Sequence, residues 1–443
     1  MAVTPFDSAI FRDLYTEPEI AALFSDSAEI RAMLLVEAGL ARVQGRLGLI
    51  PEAAAEAIAK AAPAASIPAV SLAAGTASAG VPAPALVAAL RATLPDEAGA
   101  WVHYGATSQD VIDTGLMLRL RRALDHIDER LERLIGALGA LAAAEATTVM
   151  AARTRGQIAT PTTFGARVAI WRAPLVRCRE RIAQARPRAL MVSLAGASGT
   201  LAAMGPKGAA VAAALAEEFA LAYDPTPWHA ARDGIAEIGG LAALITGALG
   251  KIGRDAQLLL QSEVREISAG KGGGSSTMPH KANPVGAEAL AALARTVAGL
   301  SSRLYDAMLH EHERDGVAWA TEWFTLPQMI VATGAALAHA EKMISALTTR
   351  PEAMRATMEA TGGLMMAEAA VFALASHMPR PEADRLLKAA AAEALSSGEP
   401  LASILSRSTD APVDWPAVLD PANYVGAAPA IARSAGKGPL GAV

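Results

Sequence analysis

Between Met117 and Leu141 apolar residues return at alternating intervals of three and four: Met117, Leu120, Leu124, Ile127, Leu131, Leu134, Leu138 and Leu141. A stripe with that spacing lies along one side of an α-helix and has to be buried against other helices for about seven turns. Four more proline-poor stretches, 164–186, 232–268, 285–312 and 326–347, have helical composition, with Pro174 and Pro327 as kinks or first-turn residues. Five long helices imply a bundle. Hydrophobic residues make up 52% of the chain and aromatics only 4%. The apolar mass is therefore Ala, Leu, Val and Ile, which suits close helix packing better than a sheet sandwich. The expected fold class is all-α.

The 443 residues are enough for two or three domains. Residues 1–106 are broken repeatedly by proline and read as a compact N-terminal domain of short helices, in which Ser25 or Asp26 caps a helix ending near Gly48 and Pro51. Residues 107–349 read as the long-helix bundle, and 350–443 as a small helical C-terminal domain with a frayed tail. The Ala-rich run 209–222 keeps helical character.

Composition also excludes partners. A net charge of −5, from 39 Lys and Arg against 44 Asp and Glu, supplies no basic field for nucleic acid. Cys178 is the only cysteine, so neither an intrachain disulfide nor a cysteine metal cage is available. The N-terminus lacks a basic segment followed by an apolar core, and apolar stretches such as GGLAALITGALG read as too short to span a bilayer. A cytoplasmic protein without membrane association is expected.

One segment interrupts the helical texture. GKGGGSSTMPHKANP, residues 270–284, holds three consecutive glycines and two prolines, so it is a loop between bundle helices. Flexible backbone, hydroxyls, a cation and an amide within a few residues can close over an anion. A plain Gly/Ser linker is the alternative, and Met278, Pro279, Lys281, Asn283 and Pro284 are not linker chemistry. Lys271 precedes the glycines, so the segment is not a P-loop, and HEHER at 310–314 is not HExxH because position 314 is arginine. No metal is expected.

The run GSSTMPHKANP resembles the signature loop of the fumarase/aspartase/argininosuccinate lyase superfamily, and HYGATSQDVIDT at 103–114 and RTRGQIATPTTFG at 153–165 resemble two further superfamily segments in the same order. The resemblance covers nearly the whole chain. It implies an all-α homotetramer with a shared central bundle, active sites built from three subunits, and no cofactor. It also implies proton transfer alpha to a carboxylate through a stabilised carbanion, which requires donors that hold the aci-carboxylate more tightly than the ground state.

Carried over to this sequence, Ser275 would transfer the proton, with the adjacent Ser276 as the alternative; Lys281 and Asn283 would bind the substrate carboxylate. Thr107, Ser108 and Gln109 would offer hydroxyls and helix-start N–H groups to a carboxylate, with plain N-capping as the other reading and Asp110 and Asp113 as first-turn acids. Many lyases of the superfamily, adenylosuccinate lyases included, carry a catalytic histidine where RTRGQ has Arg155, and a second histidine where SAGVPAPALVAAL has none.

Those absences, with LFSD at 23–26, VHYGATSQDVIDT and LDPANYVGAA, are similar to bacterial 3-carboxy-cis,cis-muconate cycloisomerases of protocatechuate catabolism, although Arg155 stands where tryptophan is expected. The implied substrate is a tricarboxylate, which Arg153, Arg155, Gln157 and Arg314 would help to bind. A salt bridge on a bundle face is the competing role for each arginine. Adenylosuccinate lyase or another fumarate-releasing lyase, and a non-catalytic helical bundle, are the alternative functions. His103, His280, His310 and His312 are weaker candidates, and His126, His229, His339 and His377 read as structural.

Overall fold

A computed structural model of the chain describes residues 2–270, 273, 274, 278 and 281–437. They form two compact units, each assembled from three stretches: Met1–Arg130, Cys178–Gly247 and Ala292–Ala338 in the first, Leu131–Arg177, Ala248–Ala291 and His339–Val443 in the second.

Long helices dominate as expected: Ser108–Ala144, Phe164–Ala189, Asp233–Leu259, Val285–Asp306 and Gly316–Ser345. The stripe is buried, with Met117, Leu120, Leu124, Ile127, Leu131, Leu134 and Leu138 all at most 2% exposed. Pro327 sits inside the last of these helices.

The first unit is organised around the helix Asp26–Arg46. Ser25 caps it, its side chain accepting from the Ala28 N–H at 3.3 Å, and Gly48 at φ 65° follows its end. Met33, Leu34 and Val36 of this helix pack with Ile58, Leu72, Leu86 and Leu90 of short neighbouring helices and with Val111 and Ile112. Leu40 and Val43 pack instead with Val192, Leu194, Val211 and Leu215. A Cβ on Gly39 would come within 2.4 Å of Phe219, which explains a glycine in the middle of this helix.

In the second unit Leu374, Leu401, Ile404, Leu405 and Trp415 form a separate core under the short C-terminal helices. Strand structure among the described residues is confined to three two-stranded ladders. One is the hairpin Val149–Thr154 and Gln157–Thr163; another pairs Ile267–Ala269 with Leu347–Thr349.

One expectation is corrected. GGLAALITGALG belongs to the helix Asp233–Leu259, 27 residues long with a window of mean hydropathy 1.5, so by length and composition it is able to cross a membrane. Within the fold 61% of that window is buried, which accounts for its apolar character by core packing.

Candidate functional site

The first unit carries the HYGATSQD segment. His103 and Gly105 take positive φ of 65° and 72°, and a Cβ on Gly105 would fall 2.6 Å from Met204 Cγ. The turn therefore needs glycine for both dihedral and space. It delivers Thr107 to the start of the helix that begins at Ser108.

Asp110 fixes that start. Its Oδ2 accepts from the N–H groups of Thr107 at 2.9 Å and Gly196 at 3.0 Å; its Oδ1 accepts from Ala195 N–H at 2.8 Å and lies 2.7 Å from His229 Nε2. The carboxylate thereby caps the helix and ties a second loop to it. Arg314 donates from Nη1 to Thr107 Oγ1 at 2.8 Å and from Nη2 to the Ala197 carbonyl. Because Thr107 Oγ1 accepts from Arg314, its own hydrogen is left for an outside acceptor. First-turn N–H groups of a helix have no carbonyl one turn back, so hydroxyl, guanidinium and helix dipole converge on a place suited to a carboxylate.

Thr107, Ser108 and Arg314 are thus brought together, each half-buried. Gln109 is fully buried and faces the other way, donating to Asp113 Oδ2 at 3.2 Å and to the His229 carbonyl at 3.0 Å. Asp113, also fully buried, belongs with it beneath the surface.

There Arg232 lies between Asp113 Oδ2 at 2.6 Å and Glu322 Oε2 at 2.5 Å, with its guanidinium 4.8 Å from the Trp228 ring. Burial opposes its charge, and the carboxylates of Asp113 and Glu322 outweigh burial and raise its pKa. The His310 side chain is fully buried with Nε2 3.8 Å from Glu322 Oε1, too long for a hydrogen bond, and neither ring nitrogen has a hydrogen-bond partner among the described residues.

His103 Nδ1 lies 2.6 Å from Glu37 Oε1. Burial pushes the imidazole pKa down, while the hydrogen bond and charge of Glu37, with the more distant Asp110, raise it above its ordinary value on balance.

The second unit carries the other candidates. Thr154 pairs with Gln157, and the two residues between them, Arg155 at φ 53° and Gly156 at φ 81°, form a tight turn of the kind that requires positive φ twice. Arg155 and Gln157 are exposed at this tip. Arg153 is committed elsewhere, its fork bound to the buried Glu266 at 2.7 and 2.9 Å. Gly273 pairs with Asn283 and Gly274 with Ala282, so Lys281 is exposed and Asn283 half-buried beside a short ladder. Ser275, Ser276 and His280 lie outside the described residues. Among the described residues no three His, Cys, Asp or Glu side chains gather as metal ligands do.

Sequence reasoning missed the loop that supplies Ala195, Gly196 and Ala197, and missed Arg232 and Glu322. The small-residue run AGASGT, with Gly196 at φ 75° and Gly199 at φ 83°, was the available signal for the loop. No local pattern marked Arg232, whose partners are 119 and 90 residues away.

Residues 15–299 match the family model described as Lyase, and residues 363–435 that described as Adenylosuccinate lyase C-terminus. The chain belongs to the lyase family. This lyase is 40% identical to the 3-carboxy-cis,cis-muconate cycloisomerase of Pseudomonas aeruginosa over 95% of its own length and 94% of that protein's. It is 38% identical to the nitrosuccinate lyase of Streptomyces davaonensis, with coverage of 99% and 96%. Its fold matches the crystal structure of 3-carboxy-cis,cis-muconate lactonizing enzyme from Pseudomonas putida at TM-score 0.91 and 39% identity, covering 97% of this chain and 98% of that one.

Proposed function

We propose that this lyase closes 3-carboxy-cis,cis-muconate to 4-carboxymuconolactone. The observation that carries the reading is the Arg314 to Thr107 hydrogen bond at an open helix start, a carboxylate-binding geometry in a chain similar along its length to a cycloisomerase. A substrate carboxylate oxygen adds to an alkene carbon, forming the lactone C–O bond. The displaced π electrons move into the neighbouring carboxylate, giving an aci-carboxylate. That group is held by Thr107, Ser108, Lys281 and Asn283, and Ser275 delivers a proton to the carbon alpha to it. Overall the trianion takes up one proton and becomes a lactone dianion. Arg155 and Gln157 take part in holding the remaining carboxylates, while Arg153, paired with Glu266, steadies the strand that leads to them.

The working enzyme is proposed as a cytoplasmic, cofactor-independent homotetramer with sites shared between subunits. Phe324 at 74% exposed, Ile170 at 65% and Leu244 at 50%, all on long helices, support apolar faces that meet other copies.

The test is ultraviolet absorbance of 3-carboxy-cis,cis-muconate, since lactonisation removes the conjugated diene. Rapid loss is expected, with kcat lowered about 10²- to 10⁴-fold in Ser275→Ala; unchanged turnover in that variant overturns the serine's role. The likeness to a nitrosuccinate lyase favours one second reading, an elimination that releases fumarate. Fumarate formed from nitrosuccinate, with the muconate untouched, would establish it.

A further inference from the structure

We propose that Arg232 is a positioning residue for carboxylate binding, holding the start of the helix Ser108–Ala144 and the Arg314 segment at a fixed distance through Asp113 and Glu322. The inference rests on the proposed function for its kinetic test, and on geometry alone for its structural one.

The Arg232 side chain is 0% exposed. Its Nε and Nη2 donate to Glu322 Oε1 and Oε2 at 2.8 and 2.5 Å, and its Nη1 and Nη2 to Asp113 Oδ2 and Oδ1 at 2.6 and 3.3 Å. Trp319 Nε1 donates to the same Asp113 Oδ1 at 3.1 Å, and Gln109 to its Oδ2. Each carboxylate belongs to an element that reaches the candidate site. Asp113 stands one turn beyond Gln109 in the helix that starts at Ser108, and Glu322 stands in the second turn of the helix Gly316–Ser345, just after Arg314.

The contacts therefore close a ring. It runs from Thr107 along the helix to Asp113, through Arg232 to Glu322, back along the second helix to Arg314, and returns to Thr107 by the 2.8 Å hydrogen bond.

Packing alone does not call for a charge here, because apolar side chains of similar volume fill a core as well as or better than a buried ion cluster. A guanidinium differs in that its N–H groups point along fixed directions, so two forks set both the distance and the angle between the carboxylates they join. Lysine has the charge without the fork.

The experiment is a double-mutant cycle between Arg232→Lys and Thr107→Ala, read as kcat and KM for 3-carboxy-cis,cis-muconate. Each single variant, with the rate referred to the folded fraction measured by circular dichroism, is expected to lower kcat/KM about tenfold, and the double variant to be little worse than the poorer single one. Multiplying effects on kcat/KM would overturn the proposal, as would an Arg232→Lys effect that disappears once the rate is referred to the folded fraction. Should Arg232→Lys not fold, Glu322→Gln takes its place in the same cycle. Absence of muconate turnover in the unaltered enzyme would sink the proposed function and not this inference. In that case a crystal structure of Glu322→Gln decides: the Arg314 to Thr107 hydrogen bond opens if the ring holds it, and its persistence at the same length overturns the proposal.

Discussion

His103 makes the turn that presents Thr107 sensitive to pH. The imidazole is nearly buried and its pKa is raised, so protonated histidine is bound more tightly in the folded chain than in the unfolded one, whose ordinary value is 6.5. The sign follows from linkage: the stabilisation is complete below that unfolded value and is lost as pH rises through the higher folded one. Relative to the parent, His103→Gln is expected to lose about 1.5–3 kcal/mol at pH 5.5, the range for a hydrogen bond to a charged group. The difference should shrink as the pH is raised past neutrality. Thermal unfolding of both proteins across that range checks it, and a gap that widens with pH would contradict the assignment. At this scale legibility was uneven. Thr107 and Ser108 stood out because a Thr-Ser pair before an apolar helix has a local reason to be there, whereas Arg314 was named only through the tricarboxylate that the resemblance implied. The buried direction of Gln109 and the partners of Arg232 depend on residues far along the chain, which no window of sequence displays.

The hairpin that carries Arg155 is the element where local preference and structure disagree. Both turn residues have positive φ, which suits Gly156 and strains a residue bearing a Cβ by about 1–2 kcal/mol. Asparagine tolerates that conformation better, so Arg155→Asn is expected to unfold at the same temperature or a few degrees higher. If the arginine's charge at the tip serves the substrate, the same variant should raise KM for the tricarboxylate. A rise in melting temperature with KM unchanged would remove Arg155 from the site while confirming the strain.

The long helices were readable because one apolar period persists over many turns and outvotes any single residue, Pro327 included. The hairpin was not, because its strands are six and seven residues long, Pro161 interrupts one of them, and arginine occupies a turn position normally marked by Asn or Asp. The helix Asp233–Leu259 was underestimated as an apolar stretch because GGLAALITGALG is only part of it: Ile238, Leu241, Ile245, Leu249 and Ile252 are each at most 4% exposed, and burial on that scale gives a core helix the composition of a membrane span.

For the whole molecule, the proposed assembly makes a sharp demand on surface residues that a single copy does not need. Phe324 is 74% exposed, so replacing it should cost one protomer little. In a tetramer whose faces meet there, Phe324→Asp buries a charge and is expected to give smaller species by light scattering, with activity lost in step. An intact, active tetramer would place the contact on another face.

The division into units has a separate consequence for how the chain comes into being. The first unit needs residues up to Ala338, and the second opens at Leu131 and runs through the C-terminal stretch. During synthesis the first 130 residues emerge with most of one core in hand, from Ile30 to Ile112, but before Trp319 and before Val192, Leu194, Val211 and Leu215, which pack on Leu40 and Val43, and a chain cut short before Ala338 finishes neither unit. Such a protein cannot mature one part at a time from its N-terminus, so truncated products should be cleared as unfolded chains rather than accumulate as stable fragments.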